Sequence, residues 1–344
     1  MSLMSRFTET KRLGTMAPLE RILVYGALAL WTIVVLFPLY WIVVTSLKLP
    51  VQVSAGPFYL PFVDYEPSLH AWNFVLNEIG NDTLRPYINS VVIAFVSTAL
   101  AMLIGSMAAY ALSRMEFSPS LGAIAFFILL VVAVIVATAL GVDWRISAAV
   151  AIALLVLLGR AAARTVSARL GNSDILFWII SQRILPPVVA AIPVYVMFQN
   201  LGLLDTRTAL VATYTTVNLP IVVWLMYDFF VTIPKDLEES AALDGASRFR
   251  IFFGIVLPLA RAGLVATSLL VFILAWNEYL LALFLSNANA QTMPVLVAAQ
   301  NATRGPQWWT MSVLILLMIV PVIALTLLLQ RFIAKGLLLG AVKG

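Results

Sequence analysis

The sequence predicts an all-α polytopic membrane protein, and three observations carry that prediction. The chain of 344 residues is 62% apolar and only 11% charged, with a mean hydropathy of +1.01. That is more apolar surface than a soluble domain of this size can bury. The apolar residues fall into about eight runs of membrane length. The Lys and Arg residues collect in alternate connections between those runs, as the positive-inside rule requires of a multi-pass chain.

A span needs about 20 apolar residues to cross roughly 30 Å of hydrocarbon. The segment 1–21 carries Arg6, Lys11, Arg12 and Arg21 and resembles the start of a signal peptide. The apolar run behind it, Ile22–Leu47, is too long for a signal's hydrophobic region and lacks a small-residue cleavage site, so it reads as an uncleaved first span. An outer loop from Lys48 to Arg85 holds Asp64, Glu66, Glu78 and Asp82 and is too short and irregular for a separate domain. Tyr87–Leu112 is the second span. Leu121–Val142 and Ile146–Ala163 follow as a hairpin turned at Gly141–Arg145. Ile146–Ala163 is the weakest of the set, because its uncharged core ends at Gly159 and Arg160 must snorkel to the interface. Parity supports it: if only one arm of the hairpin crossed, the downstream basic segments would fall outside. Ile175–Gln199, Ala209–Phe230, Ala262–Leu285 and Met311–Leu329 complete the series.

The charges orient these spans with both termini inside. That arrangement places 15 of the 21 Lys and Arg on the inner side and five outside (Lys48, Arg85, Arg145, Arg207 and Arg304), with Arg183 within a span. Trp72, Trp144, Trp308 and Trp309 fall near outer boundaries, where amphipathic rings sit. The net charge of +5 follows from this topology and points to membrane lipid, not nucleic acid. The chain has no Cys and a single His70 in an outer loop, which excludes disulfides, thiolate metal sites and a histidine metal cluster. It has no GxxxxGK[ST] sequence, so it should not hydrolyse ATP, and no cofactor is expected in it.

The polar island Ile233–Pro258, IPKDLEESAALDGASRFRIFFGIVLP, stands apart. Pro234 suits a first helical turn, and Asp236, Glu238 and Glu239 suit the positive end of a helix dipole. Ser240, Ala241 and Ala242 allow close approach of another backbone. Gly245 can take the left-handed conformation that ends a helix. Ser247 can cap a second helix, Arg248 to Val256, which Pro258 terminates. The product is a helix–turn–helix with a small-residue face and a charged rim. An amphipathic connector and a docking surface both fit this spacing.

The island also resembles the coupling loop of ABC importer permeases, whose pattern is E-A-A, three residues, Gly, nine residues and I-x-L-P. Here Glu239-Ser240-Ala241 precedes Gly245 by three residues, and nine more lead to Ile255-Val256-Leu257-Pro258. Ser240 for Ala is a small-for-small departure, and Asp244-Gly245-Ala246 also matches. Further stretches are similar to carbohydrate-importer permeases, closest to the smaller permease subunit of maltose-type systems. These are Asn89-Ser90 with Ala108-Ala109-Tyr110-Ala111-Leu112-Ser113-Arg114, Leu185-Pro186-Pro187 with Ile192-Pro193, Ala275-Trp276-Asn277-Glu278-Tyr279, Thr292-Met293-Pro294-Val295, and the tail Gly340-Ala341-Val342-Lys343-Gly344. The main departure is the stretch 119–170, because such permeases pass from the second span to the Pro-Pro span through a short turn.

The resemblance implies a six-helix type I ABC importer permease core, here with an inserted transmembrane hairpin at 119–170, in a bacterial inner membrane. It implies a five-part assembly with a second permease subunit, a dimer of ATPase subunits holding ATP and Mg²⁺, and an extracytoplasmic solute-binding protein. It assigns ATPase coupling to Glu239, Ser240, Ala241, Ala242, Asp244, Gly245, Leu257 and Pro258, with Glu239 as the partner of a basic groove residue. A sugar substrate implies polar pathway groups. Arg183 and Gln182, beside Pro186 and Pro187 and below Pro193, read as pathway residues or as a structural pair with a neighbouring helix. Asn277 and Glu278 read as ligands for sugar hydroxyls, with Trp276 or Tyr279 as a flat face, or as glue between helices. Asn89 and Asn218 are further pathway candidates, whereas Asp228 reads as an anchor. An ABC permease for another solute also fits these motifs. An ion-coupled secondary transporter would need paired intramembrane carboxylates or an inverted repeat, and neither is present. A membrane transferase would need a nucleophile and a base, which the sequence also lacks.

Overall fold

A computed structural model describes residues 18–301 and 305–341, with the helix alone described over 331–341. Arg6, Lys11, Arg12, Arg304 and the tail Val342-Lys343-Gly344 lie outside the described residues. Regular structure among the described residues is helical, apart from two isolated bridges. The first helices are α1 (Pro18–Ser46), α2 (Pro50–Ala55), α3 (His70–Asn73) and α4 (Gly80–Arg114). The hairpin arms are α5 (Leu121–Ala139) and α6 (Trp144–Thr165), followed by α7 (Asn172–Ser181), α8 (Pro187–Asn200) and α9 (Arg207–Val231). The polar island holds α10 (Asp236–Leu243) and α11 (Arg248–Ile251). Then come α12 (Arg261–Trp276), α13 (Leu280–Leu285), α14 (Met293–Ala299) and α15 (Trp308–Ala341).

Among the described residues six helices are long and apolar enough to cross a membrane: α1, α4, α5, α6, α9 and α15 as far as Gln330. Two bent pairs pass the same test when each is taken together. The expected span Ile175–Gln199 is one of them. It is not a single helix but α7, continued by a 3₁₀ turn to Ile184, and α8, bent by 88°. The cause is Pro186-Pro187, which together hold Leu185 (ψ 128°) and Pro186 (ψ 129°) extended. Pro193 sits inside α8 without breaking it. The second pair joins 248–259 to α12 at 81°. Here the expected span Ala262–Leu285 also ends early, at Trp276, and the chain restarts at Leu280.

The chain divides into two compact units, with α4 and α15 each contributing to both. The first comprises 1–89 and 291–324. Its helix α1 is described from Pro18, so 18–21, the described part of the segment 1–21, is already helical. Almost all of α1 is open, with only Val44, Thr45 and Ser46 buried, as befits an apolar helix set in lipid. Where α1 ends, Lys48 is buried, donates to the Phe58 carbonyl at 2.5 Å and lies over the rings of Trp41 and Tyr65. Burial holds its ammonium below the usual lysine range, against the pull of Asp64. A small core of Ala71, Val75, Met293, Leu296, Val313 and Leu314 joins α3, α14 and α15.

The second unit comprises 90–290 and 325–344. Its core runs along α4 and α9 into the polar island, through Ala109, Val222, Met226, Phe230, Phe252 and Val256. Gly105 lets the two long helices close up, since a Cβ there would meet Val222 at 2.6 Å. The hairpin arms α5 and α6 pack chiefly on each other, with the turn at Gly141 (φ +92°) and Asp143 accepting from the Arg145 N–H as the α6 cap.

Candidate functional site

The polar island folds as the helix–turn–helix its residues predict, with one difference at its end. Three acids open α10, and Gly245 (φ +85°) follows it. The Gly245 N–H donates to Ala242 and the Ala246 N–H to Ala241, the paired bonds that close a helix on a left-handed residue. Ser247 caps α11 by accepting from the Arg250 N–H at 3.4 Å. The difference is that Pro258 does not terminate the second helix. A π turn, Phe252–Val256, widens the ladder just before it, so helix continues through Pro258 to Leu259 and bends at Ala260.

One side of the island is fixed to the body of the second unit by an acid the sequence reading left on the rim. Glu238 is buried, and its Oε1 accepts from Arg114 Nε at 2.6 Å. Its Oε2 accepts from the Tyr110 hydroxyl at 2.7 Å. Arg114 also donates through Nη2 to the carbonyls of Phe230 and Ile233, both at 3.0 Å. Those carbonyls lie at and just past the C-terminal end of α9, where the i+4 N–H of a continuing helix is missing. Tyr110 packs against Phe252 and Phe230, with ring centroids 4.9 and 6.0 Å away.

The other side is open. Glu239, Ser240, Ala242, Asp244 and Gly245 are exposed, and Ala241 is half-buried against the core cluster. Leu243 is 90% exposed, with Phe249 and Leu237 also bare. Leu257 is half-buried against the same core and Pro258 is exposed. The island thus has a fastened side and an open side that carries both apolar residues and charges.

The pathway candidates separate into groups. Arg183 donates to the Val217 carbonyl at 3.0 Å and to Asn218 Oδ1 at 3.4 Å. Buried Asn218 donates in turn to the Tyr214 carbonyl, and the Tyr214 hydroxyl donates to the Glu278 carbonyl at 3.3 Å. These groups follow one face of α9, since Tyr214 and Asn218 are one turn apart, and they join the break after α7 to the break after α12. Gln182, Asn277 and Tyr279 are exposed at those breaks. Asn277 donates to its own helix at Ile273, and the Glu278 carboxylate caps α13 through the Leu281 N–H at 3.0 Å. Trp276 is buried and stacked on Phe272, so of the two rings expected to offer a flat face only Tyr279 is open. Asn89, in the first unit, is buried and donates to the Gln291 carbonyl at 2.8 Å.

Sequence reasoning missed Glu238, Tyr110, Tyr214 and the role of Arg114. The only local signal was Arg114 itself, a charge ending an apolar helix and needing a partner, and that partner stands 124 residues away. Among the described residues no group of three or more His, Cys, Asp or Glu could hold a metal ion.

The sequence profile of a family described as binding-protein-dependent transport system inner membrane components matches residues 155–338. The trehalose transport system permease protein SugB of Mycobacterium tuberculosis is 30% identical, covering 90% of this chain and 93% of its own. The trehalose/maltose transport system permease protein MalG of Thermococcus litoralis is 28% identical, over 95% of this chain and 98% of its own. In fold, the chain is similar to a crystal structure of a bacterial ABC transporter involved in the import of the acidic polysaccharide alginate. That likeness has a TM-score of 0.60 at 20% identity, covering 91% of this chain and 96% of the other.

Proposed function

This chain belongs to the family of binding-protein-dependent transport system inner membrane components, and from that membership we propose that it is the permease subunit of an ATP-driven carbohydrate importer, coupled through residues 233–258. It is a multi-pass protein of the inner membrane. ATP and Mg²⁺ belong to a pair of ATPase subunits, the solute arrives on an extracytoplasmic binding protein, and a second permease subunit completes the pathway. Counting each bent pair as one span raises six to eight, which supports a topology with both termini and the island in the cytoplasm. The segment 119–170 is then an inserted hairpin whose even number of crossings leaves the six-span core undisturbed.

The observation that carries this reading is the two-faced build of the island. A loop that only connected two spans would have no cause to be fastened by a buried ion pair while leaving Leu243 90% exposed. The free face, with Glu239 to Gly245 at its centre, seats in a groove of an ATPase subunit, where Glu239 meets a basic residue. Closure of the ATPase pair on ATP then displaces the island. The transmembrane helices follow between outward- and inward-open states, by the difference in affinity of nucleotide and binding protein for the two. Along the pathway, Gln182, Asn277 and Tyr279 are the groups offered to sugar hydroxyls and faces. Arg183, Asn218 and the Glu278 backbone stiffen the walls behind them. A sugar as the substrate class is supported by the relatives named for trehalose and maltose transport.

The test is purification of the tagged chain from membranes that co-express its genomic neighbours, followed by ATPase assays in lipid against a panel of binding proteins with their sugars. Stimulation by one pair supports the whole reading and names the substrate. An ATPase that co-purifies but responds only to a non-sugar solute removes the carbohydrate assignment. If no ATPase co-purifies, the docking role of the island fails.

A further inference from the structure

We propose that Arg114 and Glu238, with Tyr110, form the joint through which displacement of the island reaches α4, which makes them positioning residues for coupling. This rests on the island being the ATPase-docking element.

Successive residues of an α-helix point about 100° apart, since 3.6 residues complete a turn. In α10 this turns Glu238 into the body and leaves Glu239 exposed. The two carboxylates divide the work, one holding the body and the other facing the partner. A helix of eight residues does not persist by its own propensity. It is placed by what it touches, and on its inner side that is the carboxylate of Glu238 together with the small contacts of Ala241 and Ala246.

Arg114 is the last residue of α4, a helix of 35 residues. Its guanidinium joins three elements at once. Nε binds Glu238 of α10, while Nη2 binds the carbonyls of Phe230, in α9, and Ile233, just past its end. Tyr110, one turn earlier on α4, holds the second oxygen of the same carboxylate. The connection Thr232–Lys235 between α9 and α10 is therefore bypassed, because a push on α10 is delivered straight to the end of α4. The pair is buried, with side-chain exposures of 9% and 10%. Parting it would strand a charge away from water, so the joint moves as one piece instead of opening. The planar fork is needed too, because the point charge of a lysine cannot hold a carboxylate and two carbonyls in one plane.

The test uses the assembled importer in lipid vesicles, with sugar uptake and ATP hydrolysis measured together. Arg114→Lys keeps the charge and loses the fork, whereas Glu238→Gln keeps the shape and loses the charge. Both are expected to retain co-purifying ATPase yet deliver at least tenfold less sugar per ATP hydrolysed. Tyr110→Phe, which removes one hydrogen bond, is expected to fall between them and the wild type. Because the chain contains no cysteine, Arg114→Cys with Glu238→Cys gives a unique thiol pair. Bridging that pair with a short dithiol-reactive linker is expected to restore at least half of the lost coupling. The proposal is overturned if Arg114→Lys and Glu238→Gln keep sugar per ATP within twofold of wild type. It is also overturned if they shed the ATPase altogether, which would make Glu238 a support for the docking face and nothing more, or if the linker restores nothing. A wild-type chain that captures no ATPase would instead refute the docking reading itself.

Discussion

At the scale of single residues, the island separates folding from docking in a way substitutions can resolve. Leu243 is 90% exposed, so it contributes almost nothing to the stability of the chain by itself. Glu239 lies four residues before it, on the same helical face. Leu243→Asp and Glu239→Arg are each expected to lower ATPase co-purification at least tenfold while leaving the detergent melting temperature within about 2 °C, the shift of well under 1 kcal/mol typical of a surface change. Unchanged co-purification in both would remove the free face from the interface. A second residue-scale prediction concerns Asp205, outside the spans. Its carboxylate takes the backbone N–H groups of Asn287, Asn289 and Ala290 and the Asn289 side chain, tying the end of the α8–α9 connection to the chain after α13. Burial pushes this carboxyl up, but those N–H groups outweigh it and hold it below the usual range. The folded value being the lower one, the clamp stabilises at neutral pH and is lost as pH falls below about 4, the ordinary carboxylate value. Amide exchange at Asn289 and Ala290, corrected for the intrinsic rate, should stay slow at pH 5 and rise below pH 4. Asp205→Ala should show the fast exchange already at pH 7, and slow exchange in that variant would refute the clamp.

At the scale of elements, what the sequence revealed depended on whether the determining contacts were local. The turn of the island was legible because Gly245 and Ser247 act on their own neighbours, and both behave as the residue types predict. Gly245→Ala tests this. No atom lies within 4 Å of the added Cβ, so the whole effect is the cost of an L-residue at φ +85°, about 1 kcal/mol or somewhat more. It is expected to fray the paired bonds at Ala241 and Ala242 and weaken ATPase capture several-fold, with Gly245→Asn milder. Equal capture by all three chains would show that the turn does not set the docking geometry. The broken spans were half legible. Among the described residues Pro38, Pro86, Pro193, Pro220 and Pro321 sit within helices that carry on, whereas the Pro186-Pro187 pair makes a break. A single proline costs one hydrogen bond, and a partner helix or a local shift can make it good. Two in succession fix two residues in extended conformation, and no helix tolerates that. The π turn before Pro258 and the pairing of Arg114 with Glu238 were not legible. Both depend on packing between segments far apart in sequence, and no local pattern encodes which carboxylate of an acidic run turns inward.

At the scale of the whole molecule, the hairpin poses the sharpest question, because both its arms are long and apolar enough to cross a membrane and yet they pack chiefly on each other. Its arms leave Phe127, Leu129, Ile135, Val156 and Leu157 exposed, an outward apolar surface suited to lipid. Its base is stitched shut. The Leu121 N–H donates to the Ala168 carbonyl and the Leu170 N–H to the Pro119 carbonyl, both at 3.0 Å. Just below that stitch Asn172 closes the end of α4, donating to the carbonyls of Leu112 and Met115 at 2.8 and 2.6 Å and accepting from the Phe117 N–H. The end of α4 is therefore fixed by a residue beyond the hairpin, and the chain enters and leaves the hairpin at neighbouring points. Removing 119–170 and joining Ser118 to Gly171 through a few Gly and Ser residues then costs little loop-closure entropy. On the proposed topology it takes away an even number of crossings, and it leaves both the Arg114–Glu238 pair and the Asn172 cap in place. The shortened chain is expected to insert, to retain its ATPase and to take up sugar within about threefold of the full chain. Removing α6 alone leaves an odd number of crossings, sets the downstream basic segments against the positive-inside preference and should abolish ATPase capture. The decisive measurement is ATPase co-purification with the two deletions side by side. If the even deletion loses the ATPase as completely as the odd one, the hairpin is part of the transport core and not an insertion into it.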